Sequence, residues 1–244
     1  MILILIFVIL AFPFSTASAS AEAPSMPSLV GADLSWPNCG ANSIDYNWGI
    51  IGVNGGLDFS PNKCLFKESS LFNSFALYMN TGYPGPAYGA KYATSPNNCK
   101  IKDLLCLAYN YGYNAAEYSL RTASLQGVHS NFWWLDVETV NSWTTSSSQN
   151  VASLQGMIRA IIKNSLLTGV GFYSNTPQWI TITAGWNNQL PNWVATGDSA
   201  YSVAQKSCTG ENFTNGQTYL SQFTQTFDRN YLCQPSFVSS LKNY

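Results

Sequence analysis

The chain has 244 residues, of which only 9% are charged, and its formal net charge is -1. So weak a charge excludes the electrostatic footprint of a nucleic-acid binder or of a polybasic membrane-surface protein. Aromatic residues make up 14%, with 8 Trp and 14 Tyr, flat amphipathic side chains that serve to line a sugar-binding groove or to fill a core.

Residues 2–14 form an uncharged apolar run, followed by small residues with A-x-A patterns ending at Ala19 and Ala21. This reads as a secretory signal peptide over 1–19, cleaved after Ala19 or Ala21. The run is shorter than the ~20 residues of an ordinary membrane span, so membrane association is expected only if the segment stays uncleaved. Residues 20–27 read as a short linker, and 28–244 are enough for one large domain or two small ones by the length prior; the pattern of elements below favours one barrel domain. All six cysteines lie beyond the signal, which in an exported chain indicates disulfides. Of the fifteen connectivities open to six cysteines, sequential pairing of Cys39 with Cys64, Cys99 with Cys106 and Cys208 with Cys233 closes the shortest loops. No C-x-x-C occurs and His129 is the only histidine, so no metal site is expected, nor any cofactor. Asn212, in Asn212-Phe213-Thr214, is the one glycosylation sequon, usable if the host glycosylates.

Residues 28–37 read as a first strand broken by Pro37, with Asp33 near its C-terminal end. Residues 48–56 form a second strand closed by Gly55-Gly56. Apolar spacing over 62–75 predicts an amphipathic helix, residues 76–80 a third strand, and 83–107 an irregular stapled excursion. The 109–127 stretch has helical spacing, ended by Gly127. Next comes Asn131-Phe132-Trp133-Trp134-Leu135-Asp136-Val137-Glu138-Thr139, an aromatic-rich apolar run leading into two acids. As a strand it projects Asp136 and Glu138 to one face. A polar cap at 146–149 starts a helix through Ile162, ended by Gly169. Strands follow at 170–174 and 192–196, with a helix opening at Thr176-Pro177 between them. Residues 219–224 and a short segment around Phe227-Asp228 read as the last two strands.

Alternating short strands and helices indicate an α/β fold with a parallel sheet, and about eight strands suit a single (β/α)₈ TIM-barrel-like domain, irregular in its last helices. An open doubly wound sheet is the rival, but no Gly-rich phosphate fingerprint follows the first strand. In a barrel, Asp33, Asp136, Glu138 and Asp228 fall near strand C-termini, on the face where such folds build active sites. Glycoside hydrolysis needs a carboxylic acid to protonate the leaving oxygen, and a carboxylate or substrate amide to stabilise the oxocarbenium-like centre. Trp36, Trp143 and Tyr173 are expected to supply sugar-contacting surface. Of the adjacent pair, Trp133 or Trp134 packs into the core, since neighbours on a strand face opposite ways.

The pairing of Gly31-Ala32-Asp33-Leu34-Ser35-Trp36 with Trp134-Leu135-Asp136-Val137-Glu138, followed by Gly169–Ser174, Trp193-Val194-Ala195 and Gln222-Phe223, resembles the family-25 glycoside hydrolases, the muramidase-type lysozymes. More closely, the chain resembles a related group of secreted bacterial proteins in which W-W-L-D-V-E-T, V-G-V-N-G-G and N-S-W recur. The resemblance spans roughly residues 30–233. It implies a modified barrel with Glu138 as proton donor, Asp136 as the other acid of D-x-E, Asp33 as the N-terminal acid and Asp228 as the late acid on the last strand. The extra cysteines, the long 83–107 loop and Ser221-Gln222 in place of the usual Trp-Gln depart from the family pattern. The expected protein is secreted or cell-surface, acts on an amino-sugar or cell-wall polysaccharide, and binds glycan as its partner. The alternative is a non-catalytic carbohydrate-binding or surface-structural protein on the same fold.

Overall fold

The computed structural model describes residues 28–163, 169–225 and 227–243; the expected signal segment and linker lie outside them. Eight strands close into a barrel in chain order: β1 (Val30–Leu34), β2 (Trp48–Gly52), β3 (Ser74–Asn80), β4 (Phe132–Asp136), β5 (Gly169–Ser174), β6 (Asn192–Ala195), β7 (Thr218–Thr224) and β8 (Asp228–Leu232). β1 through β7 run parallel. β8 runs antiparallel to both β7 and β1, a departure from the all-parallel sheet expected. The cause is connection length: a parallel crossover needs a dozen or more residues, and only 225–227 separate β7 from β8. Asp228 therefore begins β8 instead of ending it, and the reversal leaves it at the barrel end where β1–β7 terminate.

The helices are α1 (Leu65–Ser69), α2 (Pro86–Gly89), α3 (Leu104–Leu125), α4 (Ser147–Lys163), α5 (Thr176–Thr183), α6 (Tyr201–Gly210) and α7 (Pro235–Ser240). The helix expected over 62–75 is only α1, because Asn62 is used as a loop brace, donating to the Gly52 carbonyl and to Glu68, and the chain must extend from Ser74 to pair with β2. The 83–107 excursion holds α2 and the first turn of α3, which starts five residues earlier than the spacing suggested because the Asp103 side chain accepts from the Cys106 amide at 3.1 Å. Gly127, at φ 69°, ends α3 in the left-handed conformation that glycine adopts without a Cβ penalty. α3 and α4 cross so closely that a Cβ on Gly156 would lie 2.0 Å from the Tyr109 carbonyl oxygen. Among the described residues no helix is long and apolar enough to cross a membrane.

Strand alternation separates two cores. Trp48, Ile50, Phe132, Trp134, Trp193 and Leu220 fill the barrel interior. The residues next to them, Ile51, Trp133, Leu135 and Val194, face outward and pack with Leu154, Met157 and Ile161 of α4. Trp133 and Trp134 are thus both buried, on opposite sides of one strand. α7 plugs the interior at the end where β4 begins: the Phe237 ring centroid lies 5.0 Å from that of Phe132 and 5.7 Å from that of Trp134.

Cys39 is bonded to Cys64, Cys99 to Cys106 and Cys208 to Cys233. These bridges tie the turn after β1 to the start of α1, the excursion to the first turn of α3, and α6 to the end of β8. Three disulfides fit an oxidising, extracellular setting. Asn212 is exposed.

Candidate active site

At the barrel end where β1–β7 terminate, a cavity of about 140 Å³ is lined by Asp33, Asp136, Glu138 and Asp228 together with Tyr78, Asn80, Tyr173, Trp193 and Gln222. Each acid arrives by strand geometry. Asp33 is the penultimate residue of β1 and Asp136 the last of β4. In register, Asp136 stands beside Asn80 of β3 and Tyr173 of β5, so one layer of inward positions carries all three side chains. Glu138 lies just past the strand. Its segment still follows β5, since the Val137 amide donates to the Tyr173 carbonyl at 2.9 Å and Ser174 Oγ donates to the Val137 carbonyl at 2.7 Å.

The polar contacts hold the acids and leave each buried one a free oxygen. Gln222 Nε2 donates to Asp33 Oδ2 at 2.8 Å, while Gln222 Oε1 accepts from the Tyr173 hydroxyl at 2.7 Å. Asn80 Nδ2 donates to Asp136 Oδ2 at 2.6 Å. Oδ1 of Asp33 and Oδ1 of Asp136 are buried and carry no protein hydrogen bond. The Asp136 carbonyl is held by the Thr81 hydroxyl at 2.6 Å. Trp193 forms the aromatic floor, its ring centroid 4.5 Å from that of Tyr173 and its Nε1 donating to Asn230 at 2.8 Å. Thr224 Oγ1 donates to Asp228 at 2.6 Å.

Burial dominates the electrostatics. It pushes Asp136 well above the usual carboxylate range, with the charges of Glu138 and Asp33 adding to it. Burial likewise raises Asp33, aided by the charge of Asp228 and opposed by the Gln222 hydrogen bond. Glu138, half-buried, is raised by burial and by Asp228 against a lowering hydrogen bond from Gln178. Such crowding tightens a carboxyl's hold on its proton, the direction a general acid requires.

The comparisons with known proteins fit this geometry. A family model described as Lysozyme-like protein 1 (Lys-1) matches residues 105–226, half of the chain. The chain belongs to that lysozyme-like family. The matched span carries Asp136, Glu138, Tyr173 and Gln222 of the cavity, while Asp33 and Asp228 lie outside it. Among solved structures, one titled "Structure of muramidase from Trichobolus zukalii" shares the fold, with a TM-score of 0.52 and 13% identity over 84% of this chain and 93% of that one. A comparison with curated proteins finds no match.

In this lysozyme-like chain the structure brings Glu138, Asp136, Asp33, Asp228 and Tyr173 into one cavity, and places the two tryptophans singled out for sugar contact elsewhere. Trp36 follows β1 in a short 3₁₀ turn, 52% exposed, and does not line the acid cavity. Trp143 packs half-buried against the core and its Nε1 donates to the Glu138 carbonyl at 2.9 Å, so it braces the backbone of Glu138. Sequence reasoning missed Tyr78 and Asn80, and it quoted Trp193 and Gln222 only for the family resemblance, without a place in the site. Their signal was position: each sits on the inward register of a strand near its C-terminal end, where barrel sites form.

The raised acids have a sign that can be measured. Asp136 binds its proton more tightly folded than unfolded, so its contribution to stability is fully present below the ordinary carboxylate pKa of about 4 and is lost as pH rises through its folded value. Asp136→Asn carries no charge to desolvate. It is expected to melt above the parent at pH 7, by roughly 2–4 °C for each kcal/mol relieved, with the gap closing toward pH 4. Thermal melts across that range check this, and a variant less stable than the parent at pH 7 contradicts it.

Proposed function

We propose that the protein is a secreted glycoside hydrolase that cleaves an amino-sugar polysaccharide of the cell-wall type. The observation that carries this reading is the convergence of four carboxyls on one small barrel-end cavity, with the half-buried Glu138 among them. Glu138 gives its proton to the glycosidic oxygen as the bond to the sugar breaks. Asp136 and Asp33, with their free Oδ1 atoms, orient the substrate acetamido group or the incoming water and stabilise the positive charge that develops on the ring. Asp228 adds to the negative potential that raises Asp33 and Glu138. Membership of the lysozyme-like family and the fold shared with a muramidase support a glycan as the substrate.

The alternative, a non-catalytic glycan binder, would be favoured by a donor acid covered or consumed by structural hydrogen bonds. The 83–107 excursion lines a neighbouring cavity instead. The Glu138 contacts to Trp143 and Asn141 use its backbone carbonyl, and its carboxyl has the side chain of Gln178 as partner. The test is a screen for reducing-sugar release from peptidoglycan, chitin and host-type glycans. Release from peptidoglycan is expected, and a folded protein that releases sugar from none of the three refutes the reading.

A further inference from the structure

A second, larger cavity of about 380 Å³ lies beside the acid cavity and shares Asn80 with it. Its wall is aromatic, from Phe59, Tyr88, Tyr92 and Tyr111, with the carboxyl of Asp58 among them. Asp58 Oδ2 accepts from the Tyr111 hydroxyl at 3.0 Å, but its Oδ1 is buried with no hydrogen-bond partner. The carboxyl caps no helix and makes no ion pair among the described residues; its one protein partner is the Tyr111 hydroxyl, which leaves the desolvation of Oδ1 without compensation.

The loop that presents it is held in an unfavourable shape. Phe59 adopts φ 57°, a left-handed conformation that is an outlier for a bulky residue and that persists only where the surroundings enforce it. The Gly55 amide donates to the Ser60 carbonyl at 3.1 Å and Ser60 Oγ to the Leu57 carbonyl at 2.6 Å. The Phe59 ring is stacked on Tyr92, centroids 5.1 Å apart and planes within 5°. At the rim stands Tyr88, 48% exposed, with the Lys91 ammonium 4.8 Å from its ring centroid.

We propose that this chamber is a saccharide subsite next to the acid cavity, in which a neutral sugar ring lies against Tyr88 and shares a hydroxyl hydrogen bond with the free Oδ1 of Asp58. A sugar ring offers both an apolar face for an aromatic wall and hydroxyls for a carboxyl acceptor. Lys91 at the same rim opposes a cationic occupant. Burial pushes Asp58 up to about 7 against the lowering hydrogen bond from Tyr111, so near neutrality the carboxyl accepts a hydrogen bond from a hydroxyl when ionised and donates one when protonated. The assignment of a glycan rests on the proposed function, and Asn80, which steadies Asp136, is the shared boundary over which one glycan chain reaches both cavities.

Calorimetric titration of the Glu138→Gln protein with N-acetylglucosamine oligomers of two to six units tests it. Adding Tyr88→Ala or Asp58→Ala is expected to weaken hexamer binding about tenfold, with a loss that grows from dimer to hexamer. Tyr88 is exposed, so its variant keeps the test open if Asp58→Ala fails to fold. Unchanged hexamer affinity in the Tyr88 variant, or no hexamer binding before either substitution, overturns the subsite. Tighter binding of deacetylated oligomers, lost in the same variants, overturns the neutral-sugar assignment in favour of an ammonium ligand. A parent protein that hydrolyses no glycan yet binds long oligomers through Tyr88 refutes the hydrolase reading and keeps the subsite.

Discussion

Glu138→Gln is expected to lower glycan hydrolysis by on the order of 10²–10⁴ while leaving the fold and melting transition intact. The substitution keeps the size and planar shape of the side chain and removes only the transferable proton. Glu138 is favoured over its buried neighbours as donor because it combines a raised carboxyl with partial exposure. Asp136 and Asp33 are more deeply buried, 3% and 8% exposed, and each has one oxygen occupied by an amide donor. A general acid must reach the leaving oxygen and be reprotonated from solvent between turnovers, which a residue at the mouth of the cavity does more readily than one at its base. The measurement is the initial rate of reducing-sugar release from peptidoglycan by both proteins, with circular dichroism as the control for folding. Equal rates would remove Glu138 from the chemistry. A comparable loss in Asp136→Asn with Glu138→Gln unaffected would move the donor role two residues back, to the last residue of β4.

The core of this arrangement was legible in the chain because strand chemistry is local. A run of Phe132, Trp133, Trp134 and Leu135 leading into Asp136 fixes a buried strand, and period-two alternation fixes which of its residues look inward. Asp33 was legible for the same reason, as an acid three residues before Trp36-Pro37 ends the segment. Three things were not. The direction of β8 depends on the length of one connection, so a pattern of strands in series suggested a uniform sheet where a three-residue turn required a hairpin. Gln222, Asn80 and Tyr78 have no composition signal; they matter because register sets them beside acids from 56 to 189 residues away in sequence. The tryptophans pose the opposite problem, since bulk and amphipathicity are equal in a sugar platform and in a brace, and it is the hydrogen bond from Trp143 to the Glu138 carbonyl that gives Trp143 a bracing role.

The sequence reading assigns no element beyond the segment around Phe227-Asp228, and the contribution of α7 is tested by Phe237→Ala. Six residues of α7 are too few to form a stable isolated helix, so periodicity has little to report. Pro235 at its first turn and the burial of Phe237 and Val238 show that packing makes the helix. Phe237 is 2% exposed and its ring meets those of Phe132, Trp134 and Tyr219, so truncation opens a cavity at the base of the barrel interior. Removing a buried Phe costs about 3–5 kcal/mol, which for a chain of this size lowers the melting temperature by roughly 2–4 °C per kcal/mol. The variant should therefore melt on the order of 6–20 °C below the parent. The acid cavity lies at the opposite end of the barrel, so hydrolysis per folded molecule should persist at low temperature. A melting transition within about a degree of the parent would mean that α7 merely rests on the barrel, and that the aromatic interior closes without it.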